Sequence, residues 1–147
     1  MTRLVGAGVL AMTLACTSPA PRPIAYGTDQ CAHCHMTLVD PRFAAELVTT
    51  TGKVLVFDDI GCMSRFIAGG TVAVGDIHST WAQDYLAPGT FLRTSQLHFV
   101  RSTAFHTPMS SGIAAVLHPG SADSLSSATQ GERLDWTQVL ALAAPSH

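Results

Sequence analysis

The sequence predicts an α+β fold in which two similar small ββα-type units lie side by side. Of its 147 residues, 47% are hydrophobic and 12% are charged, which is typical of a compact chain and not of a disordered one. Short apolar segments end at turn residues, and helix-capping signals follow some of them. This plan occurs in residues 29–90 and, more loosely, in residues 91–147, which defines the two units.

The first unit is predicted to be a β-hairpin followed by a helix. Thr51-Gly52 is a typical turn between two short apolar strands. Asp58 or Asp59 is a suitable N-cap for the helix, and Gly69-Gly70 ends it. The predicted elements are strands at 43–50 and 53–57 and a helix at 60–68.

The second unit is predicted to contain two strands and two helices. Asp135 and Gln138 form a capping-box pattern at the start of the last helix. The predicted elements are a strand at 113–118, a short helix at 121–129, a return strand at 131–134 and a helix from 136 to about 143.

The two units can be aligned by their strand-to-helix junctions. Matching Leu134-Asp135 to Phe57-Asp58 places Met36 and Met109 at equivalent positions, each ahead of the first strand of its unit. Residues 76–91 lie between the units and are rich in turn formers and aromatic residues. We expect this segment to close the first unit against the second.

Residues 1–15 are predicted to be a lipoprotein signal peptide. Arg3 precedes an apolar run from residue 4 to 15, which is shorter than the ~20 residues that a spanning helix needs. Residues 12–16, Met-Thr-Leu-Ala-Cys, resemble a bacterial lipobox, in which Cys16 is lipidated and becomes the new N-terminus. Residues 16–28 then form a lipid-anchored tether. The mature protein is therefore expected outside the cytoplasm, in an oxidising compartment.

The functional signal is a concentration of sulfur and imidazole side chains. The chain has four Cys, five Met and seven His, and residues 31–36 read Cys-Ala-His-Cys-His-Met. Thiolate and thioether sulfur select Cu(I) over hard cations. A zinc ribbon needs a second Cys-x-x-Cys, which the chain lacks. A thioether needs no deprotonation and cannot be lost to a disulfide, so the pattern favours copper.

The candidate copper ligands are sulfur atoms from two distant stretches of chain. They are Cys34, Met36, Met109 and Cys31.

Several neighbours of these ligands have open roles. Cys31 and Cys34 are also a possible disulfide, and Cys62, in the first turn of a helix, is either an assisting thiol or a buried structural one. Asp58 and Asp59 are interpreted as helix caps. His33, His35 and His106 are either exposed or extra ligands.

These motifs together resemble the NosL family of nitrous oxide reductase accessory lipoproteins. The resemblance is carried, in order, by Cys16, Cys31-x-x-Cys34-x-Met36, Asp40-Pro41, Gly52-Lys53, the segment 57–63 (Phe-Asp-Asp-Ile-Gly-Cys-Met) and Thr107-Pro108-Met109. It implies a fold related to that of organomercurial lyase and soft ligands at Cys34, Met36 and Met109, with Cys31 as a further candidate. His35 stands where many members of the family have Gly.

The resemblance also implies a function. NosL proteins are lipid-anchored periplasmic Cu(I) chaperones that are not enzymes. They supply copper for the metal sites of nitrous oxide reductase and work with an ABC-type maturation complex at the membrane.

Other functions are kept as alternatives. A thiol–disulfide oxidoreductase would use Cys31 and Cys34 but needs a helix that starts at the first cysteine, and Pro41 ends any helix there early. A structural zinc module is the next alternative. An organomercurial lyase needs two thiols and a carboxylate on one substrate, and the spacing of Cys34, Cys62 and Asp58 permits this. Nucleic-acid binding is excluded, because the formal net charge is −2 and leaves no basic surface.

Overall fold

A computed structural model describes residues 18–144 of the chain. It has two antiparallel sheets and, within those residues, three α-helices. The strands are β1 (Ala45–Thr49), β2 (Val54–Phe57), β3 (Ile77–Asp84), β4 (Ala87–Arg93), β5 (His98–Arg101), β6 (Ile113–Val116) and β7 (Glu132–Leu134); the helices are α1 (Ile60–Ala68), α2 (Pro119–Thr129) and α3 (Trp136–Ala143). The predicted α+β class is confirmed.

The first sheet has the strand order β2-β1-β3-β4, with every neighbouring pair antiparallel. β1 and β2 form the predicted hairpin, in which Gly52 adopts a φ of +84° at the turn. A positive φ is readily adopted only by glycine, so the Thr51-Gly52 signal identifies the turn correctly.

The first helix starts and stops where the sequence predicts. Asp59 is the N-cap, and its Oδ1 accepts the backbone N–H of Cys62 at 2.7 Å. Gly69 and Gly70 follow the last helical residue, and Gly70 has a φ of +70°.

Residues 76–91 contact the second unit, as expected, because the backbone N–H of Tyr85 donates to the carbonyl of Ala115 at 2.8 Å. The strands within this segment were not predicted. This segment forms most of a second hairpin, β3 and β4, and β4 continues to Arg93. The turn formers Asp84 and Gly89 are part of the hairpin: the register shifts after Gln83, and Asp84 accepts the backbone N–H of Leu86 at 2.9 Å. Polar residues on an edge hairpin hide the alternation that normally reveals a strand.

The second sheet has the order β6-β5-β7, and its central strand β5 was not predicted. With β5 included, both units share a strand–strand–helix–strand order in which the first strand lies between the other two. β1-β2-α1-β3 therefore corresponds to β5-β6-α2-β7.

This correspondence corrects the register of the repeat inferred from the sequence. Phe57 at the end of β2 matches Val116 at the end of β6, not Leu134. Met36 lies before β1, whereas Met109 lies between β5 and β6, so the two methionines do not occupy equivalent positions. The alignment failed because it lacked the strand β5.

The two units share one hydrophobic core. Its fully buried members include Leu47 and Phe57 from the first sheet, Phe99 from the second sheet and Val139 from α3. The rings of Phe99 and Trp136 lie 5.7 Å apart, which fastens α3 to the face of the second sheet that lines the shared core. The helix α1 is thereby enclosed, and its first turn is buried.

The N-terminal segment packs on the first sheet from about residue 21 onward. Arg22 forms an ion pair with Asp29 at 2.8 Å, and its backbone N–H donates to Oε2 of the buried Glu46 at 3.0 Å. This part of the predicted tether is held against the domain. The predicted signal peptide and Cys16 lie outside the described residues. Within residues 18–144, no helix has the length and hydrophobicity to cross a membrane.

Candidate metal centre

A tight turn at Cys31–Met36 presents the first group of sulfur atoms. The backbone N–H of Cys31 donates to the carbonyl of Met36 at 2.8 Å, and the N–H of His35 donates to the carbonyl of Cys31 at 3.0 Å. The N–H of Ala32 donates to the carbonyl of Val56 at 2.8 Å, which ties the turn to β2. As a result Cys31 points into the core, Cys34 is half-buried, and Met36 is 53% exposed.

The turn places His35 in an unfavourable backbone conformation. Its φ is +63°, in the left-handed region that favours glycine. Glycine would adopt this conformation without strain. The side chain of His35 is exposed, and so are those of His33 and His106.

The second group of side chains comes from the junction between β2 and α1. Asp58 is 2% exposed, and Asp59 and Cys62 are fully buried. Asp59 is the helix cap, as expected for one of the two aspartates. Asp58 has a different role: its Oδ1 accepts the N–H of Asp59 at 2.9 Å, while its Oδ2 accepts a hydrogen bond from the Cys34 thiol at 3.2 Å.

These two groups form one thiol–carboxylate cluster, which consists of Cys31, Cys34, Cys62 and Asp58. The three sulfur atoms and one carboxylate oxygen all lie within 4.8 Å of one another. All three cysteines are free thiols. The cluster could therefore hold a metal ion, and its sulfur-rich donor set suits a soft or borderline one.

Hydrogen bonding and burial give the three thiols different acidities. A hydrogen bond from the Cys62 thiol lowers the pKa of Cys31 to about 6, against the opposing effect of burial. The same contact, together with burial, raises the pKa of Cys62. Burial is also the main cause that raises the pKa of Cys34 to about 11, and the neighbouring Asp58 adds to it. Of the three thiols, Cys31 is therefore the one that most readily loses its proton.

One cation approaches the cluster from the helix. The guanidinium of Arg65 donates to Sγ of Cys62 at 3.8 Å. Cys62 also lies in the first turn of α1, where the backbone N–H groups carry partial positive charge. Both features favour thiolates in the cluster.

Met109, on a loop of the second unit, contacts the start of α1. Its backbone N–H donates to Oδ2 of Asp59 at 3.1 Å, and its side chain packs against the shared core. The loop lies close to α1. A Cβ added to Gly61 in the first turn of the helix would lie only 2.3 Å from the Cβ of Ser111 in the loop. The carboxylate of Asp59 thus holds both the start of α1 and the Met109 loop.

The structure places two of the four predicted ligands in the cluster and the other two on segments next to it. Cys31 and Cys34 belong to the cluster, Met36 is exposed at the end of the same turn, and the backbone of Met109 is bonded to the junction that carries Asp58. Sequence reasoning interpreted Asp58 as a helix cap and left Cys62 as either an assisting or a buried structural thiol; it grouped the two with Cys34 only for the organomercurial lyase alternative. The Asp-Asp pair before the helix was the available signal, since one cap needs only one aspartate.

The fold and the site together define an α+β protein with a buried thiol–carboxylate cluster that could bind metal. The same fold occurs in the crystal structure of the copper chaperone NosL from Shewanella denitrificans, with a TM-score of 0.73 and 18% sequence identity. The match covers 83% of this chain and 96% of that one. The resemblance to NosL inferred from the sequence is thus confirmed for the fold. No family model and no curated protein sequence matches the chain.

Proposed function

We propose that this protein is a Cu(I) carrier that binds the ion at the rim of the thiol–carboxylate cluster and delivers it to a partner. One observation carries the proposal: Cys34 is the half-buried thiol of the cluster, Met36 follows it two residues later in the same turn, and the backbone of Met109 is bonded to Asp59, the neighbour of the cluster residue Asp58. The similar fold of a copper chaperone supports the same function.

The donor chemistry fits Cu(I). Thiolate and thioether are the ligands this ion prefers, and it is stable with few of them. Cys34 supplies the thiolate, and its proton leaves as copper binds. Met36 and Met109 supply thioethers that need no deprotonation. Cys31, the thiol whose pKa is lowered, is a further donor.

The gradient of exposure suits release to a partner. Met36 is 53% exposed, whereas Cys31 is fully buried. A sulfur or imidazole of the partner reaches the copper from the exposed side and binds before Cys34 leaves. Transfer by this route does not pass through free copper.

Location and client follow from the sequence motifs. We propose that Cys16 is lipidated, that the protein works on the periplasmic side of a bacterial membrane, and that it supplies copper for the metal sites of nitrous oxide reductase together with an ABC-type maturation complex. The motifs that resemble NosL support this assignment.

The placement of the thiols argues against a thiol–disulfide oxidoreductase. Such an enzyme needs an accessible cysteine of low pKa at the start of a helix. Here the low pKa belongs to the fully buried Cys31, the half-buried Cys34 has a raised pKa, and the turn that carries them is not a helix. A disulfide-reduction assay is expected to show no activity.

A second candidate function is organomercurial cleavage, because the two sulfur atoms of Cys34 and Cys62 and a carboxylate oxygen of Asp58 lie within 4.8 Å of one another. Two thiolates would take the mercury, and a proton passed through Asp58 would replace it on the carbon. Incubation of the protein with phenylmercury and measurement of benzene separates this candidate from the carrier, for which no benzene is released.

Anaerobic Cu(I) titration of the full chain against a competing chelator tests the carrier. The double variant Cys34→Ala, Met36→Ala is expected to bind Cu(I) at least about a hundredfold more weakly, since even changes outside the ligand set cost about 10–100-fold. Met63→Leu, which alters a fully buried methionine, is the control and is expected to bind like the parent. Parent-like binding by the double variant would exclude the proposed site.

A further inference from the structure

The exposed hydrophobic side chains are concentrated at one end of the first sheet. Within residues 18–144 six large hydrophobic side chains are exposed, and three of them, Tyr26, Val39 and Leu86, lie at this end. Val39 is 69% exposed and Leu86 is 56% exposed, so neither packs in the core. A group of such side chains on one surface indicates a contact with another apolar body.

Tyr26 and Val39 lie on two neighbouring segments of chain. The backbone N–H of Gly27 donates to the carbonyl of Leu38 at 2.8 Å, which joins the two segments. Tyr26 comes directly before the first of these residues, and Val39 comes directly after the second. The two exposed side chains therefore belong to the same pair of hydrogen-bonded segments.

Leu86 comes to the same place from the tip of the β3–β4 hairpin. The guanidinium of Arg42 lies 5.7 Å from the ring centroid of Tyr85, the residue before Leu86. The N-terminal segment, the loop before β1 and the β3–β4 hairpin also line one groove of about 450 Å³, whose apolar members are Pro21, Pro23, Ile24, Tyr26, Pro41 and Phe91. We call the surface formed by Tyr26, Val39, Pro41 and Leu86 the apolar end.

The charged groups at the apolar end are paired within the protein. Arg22 forms an ion pair with Asp29 at 2.8 Å, and Arg42 forms one with Asp40 at 2.7 Å. The carboxylate of Asp84 accepts two backbone N–H groups, at 2.9 and 3.2 Å. Charges that are paired and hydrogen-bonded cost less to bring toward an apolar medium. The arginine side chains also remain partly exposed, and guanidinium groups bind phosphate well.

The predicted lipid anchor is close to the apolar end along the chain. Pro21 lines the groove and follows Cys16 by five residues, which span at most about 18 Å. A lipid on Cys16 would therefore hold this end of the protein next to the bilayer. Tyrosine favours the membrane–water interface, and leucine and valine favour the acyl region below it.

Given the lipidation proposed above, we infer that the apolar end is a membrane-docking surface, which rests on the bilayer that holds the lipid of Cys16. Leu86 and Val39 enter the boundary between headgroups and acyl chains, Tyr26 lies among the headgroups, and the two arginines face the phosphates. Met36 is three residues from Val39 in the chain. Docking therefore keeps the copper ligands near the membrane surface, where a membrane-bound partner is in reach.

Quenching of tryptophan fluorescence by lipids with brominated acyl chains tests this orientation. The lipidated full chain is bound to vesicles of phosphatidylethanolamine and phosphatidylglycerol, and the emission of the parent is subtracted. Leu86→Trp and Val39→Trp are expected to lose most of the added emission on brominated vesicles. Val74→Trp is the matched control and is expected to keep its emission. Val74 is 78% exposed and lies before β3, whereas Leu86 lies after the other end of that strand.

The same samples distinguish failure of the docking surface from failure of the anchor. Mass spectrometry reports whether Cys16 carries lipid. If the lipid is present and all three added tryptophans are quenched to the same extent, or none is quenched, the apolar end does not face the bilayer and the inference is overturned, while the anchor stands. If the lipid is absent, the proposed anchor is wrong and the inference falls with it.

Discussion

The two units have the same strand order but differ at the junction between their second strand and their helix. In the first unit Asp59 caps α1 with its side chain, and Cys62 lies in the first helical turn. Counting from Phe57 and Val116, the corresponding residues of the second unit are His118, which makes no side-chain cap, and Ser121. All four cluster residues belong to the first unit.

The two junctions differ in whether another part of the protein covers them. The start of α1 is covered by the Met109 loop, whereas His118, Pro119 and Gly120 at the start of α2 are exposed. Only a covered junction can hold thiols and carboxylates away from water, where their interactions are strong. The second unit therefore contributes to the site by closing it.

The two sheets also differ at one pair of corresponding positions. In the first sheet Glu46 pairs with Val56. Phe99, which pairs with Ala115, has the corresponding position in the second sheet. Phe99 is covered by Trp136, whereas Glu46 is covered by the N-terminal segment. Oε1 of Glu46 has no hydrogen-bond partner within residues 18–144. This burial raises the pKa of Glu46 to about 7.

The largest expected effect is the pH dependence that Glu46 causes. Its pKa is raised above the unfolded value of about 4.5, so the folded state retains the proton that the unfolded state loses. The contribution to stability is fully present below pH 4.5 and is lost as the pH rises through about 7. The loss is about 3 kcal/mol.

Denaturant unfolding of the parent and of Glu46→Gln between pH 4.5 and 8 measures this loss. The difference in the free energy of unfolding between the two proteins isolates Glu46 from all other titrating groups. The difference is expected to change by about 3 kcal/mol over this range in favour of the variant. A difference that stays constant with pH would show that Glu46 is not buried as described.

An intermediate effect is expected from the two glycines that follow the helix starts. At Gly61 a Cβ would lie 2.3 Å from the Cβ of Ser111, whereas at Gly120, the corresponding position, it would meet nothing within 4 Å. Gly61→Ala is expected to cost about 1–3 kcal/mol and to weaken Cu(I) binding, because the Met109 loop must move. Gly120→Ala is expected to be neutral or stabilising by up to about 1 kcal/mol.

Thermal unfolding and Cu(I) titration of this matched pair test whether the loop closes the site. Equal effects of the two substitutions on copper affinity would contradict that conclusion.

The smallest expected effect lies in the turn that carries Cys31 and Cys34. His35→Gly relieves the φ of +63° and is expected to stabilise the protein by about 1 kcal/mol. His33→Gly in the same turn lacks this benefit and is expected to be slightly destabilising. Chemical denaturation compares the two. Stabilisation by both substitutions would mean that the backbone at His35 is not strained.

Local signals in the sequence predicted the first unit well. The hairpin turn, the Asp59 cap and the bounds of α1 depend on neighbouring residues alone, and all are as predicted. The β3–β4 hairpin was missed because its polar, partly exposed residues do not alternate clearly. The strand β5 was missed because its four residues include two adjacent buried ones, Phe99 and Val100, and so show no alternation. Without β5 the repeat was aligned by the wrong strand.

The sequence by itself determined the kind of chemistry, since six residues with two thiols, two imidazoles and a thioether specify a soft-metal ligand set wherever they fold. Only the tertiary structure decided which of the neighbouring side chains join that set. Asp58 and Asp59 look alike in the sequence, yet the direction of the chain as it leaves β2 turns one toward the thiols and the other toward the helix. Contacts between residues distant in sequence, such as that of Met109 with Asp59, depend on how the two units pack, and no local pattern encodes that packing.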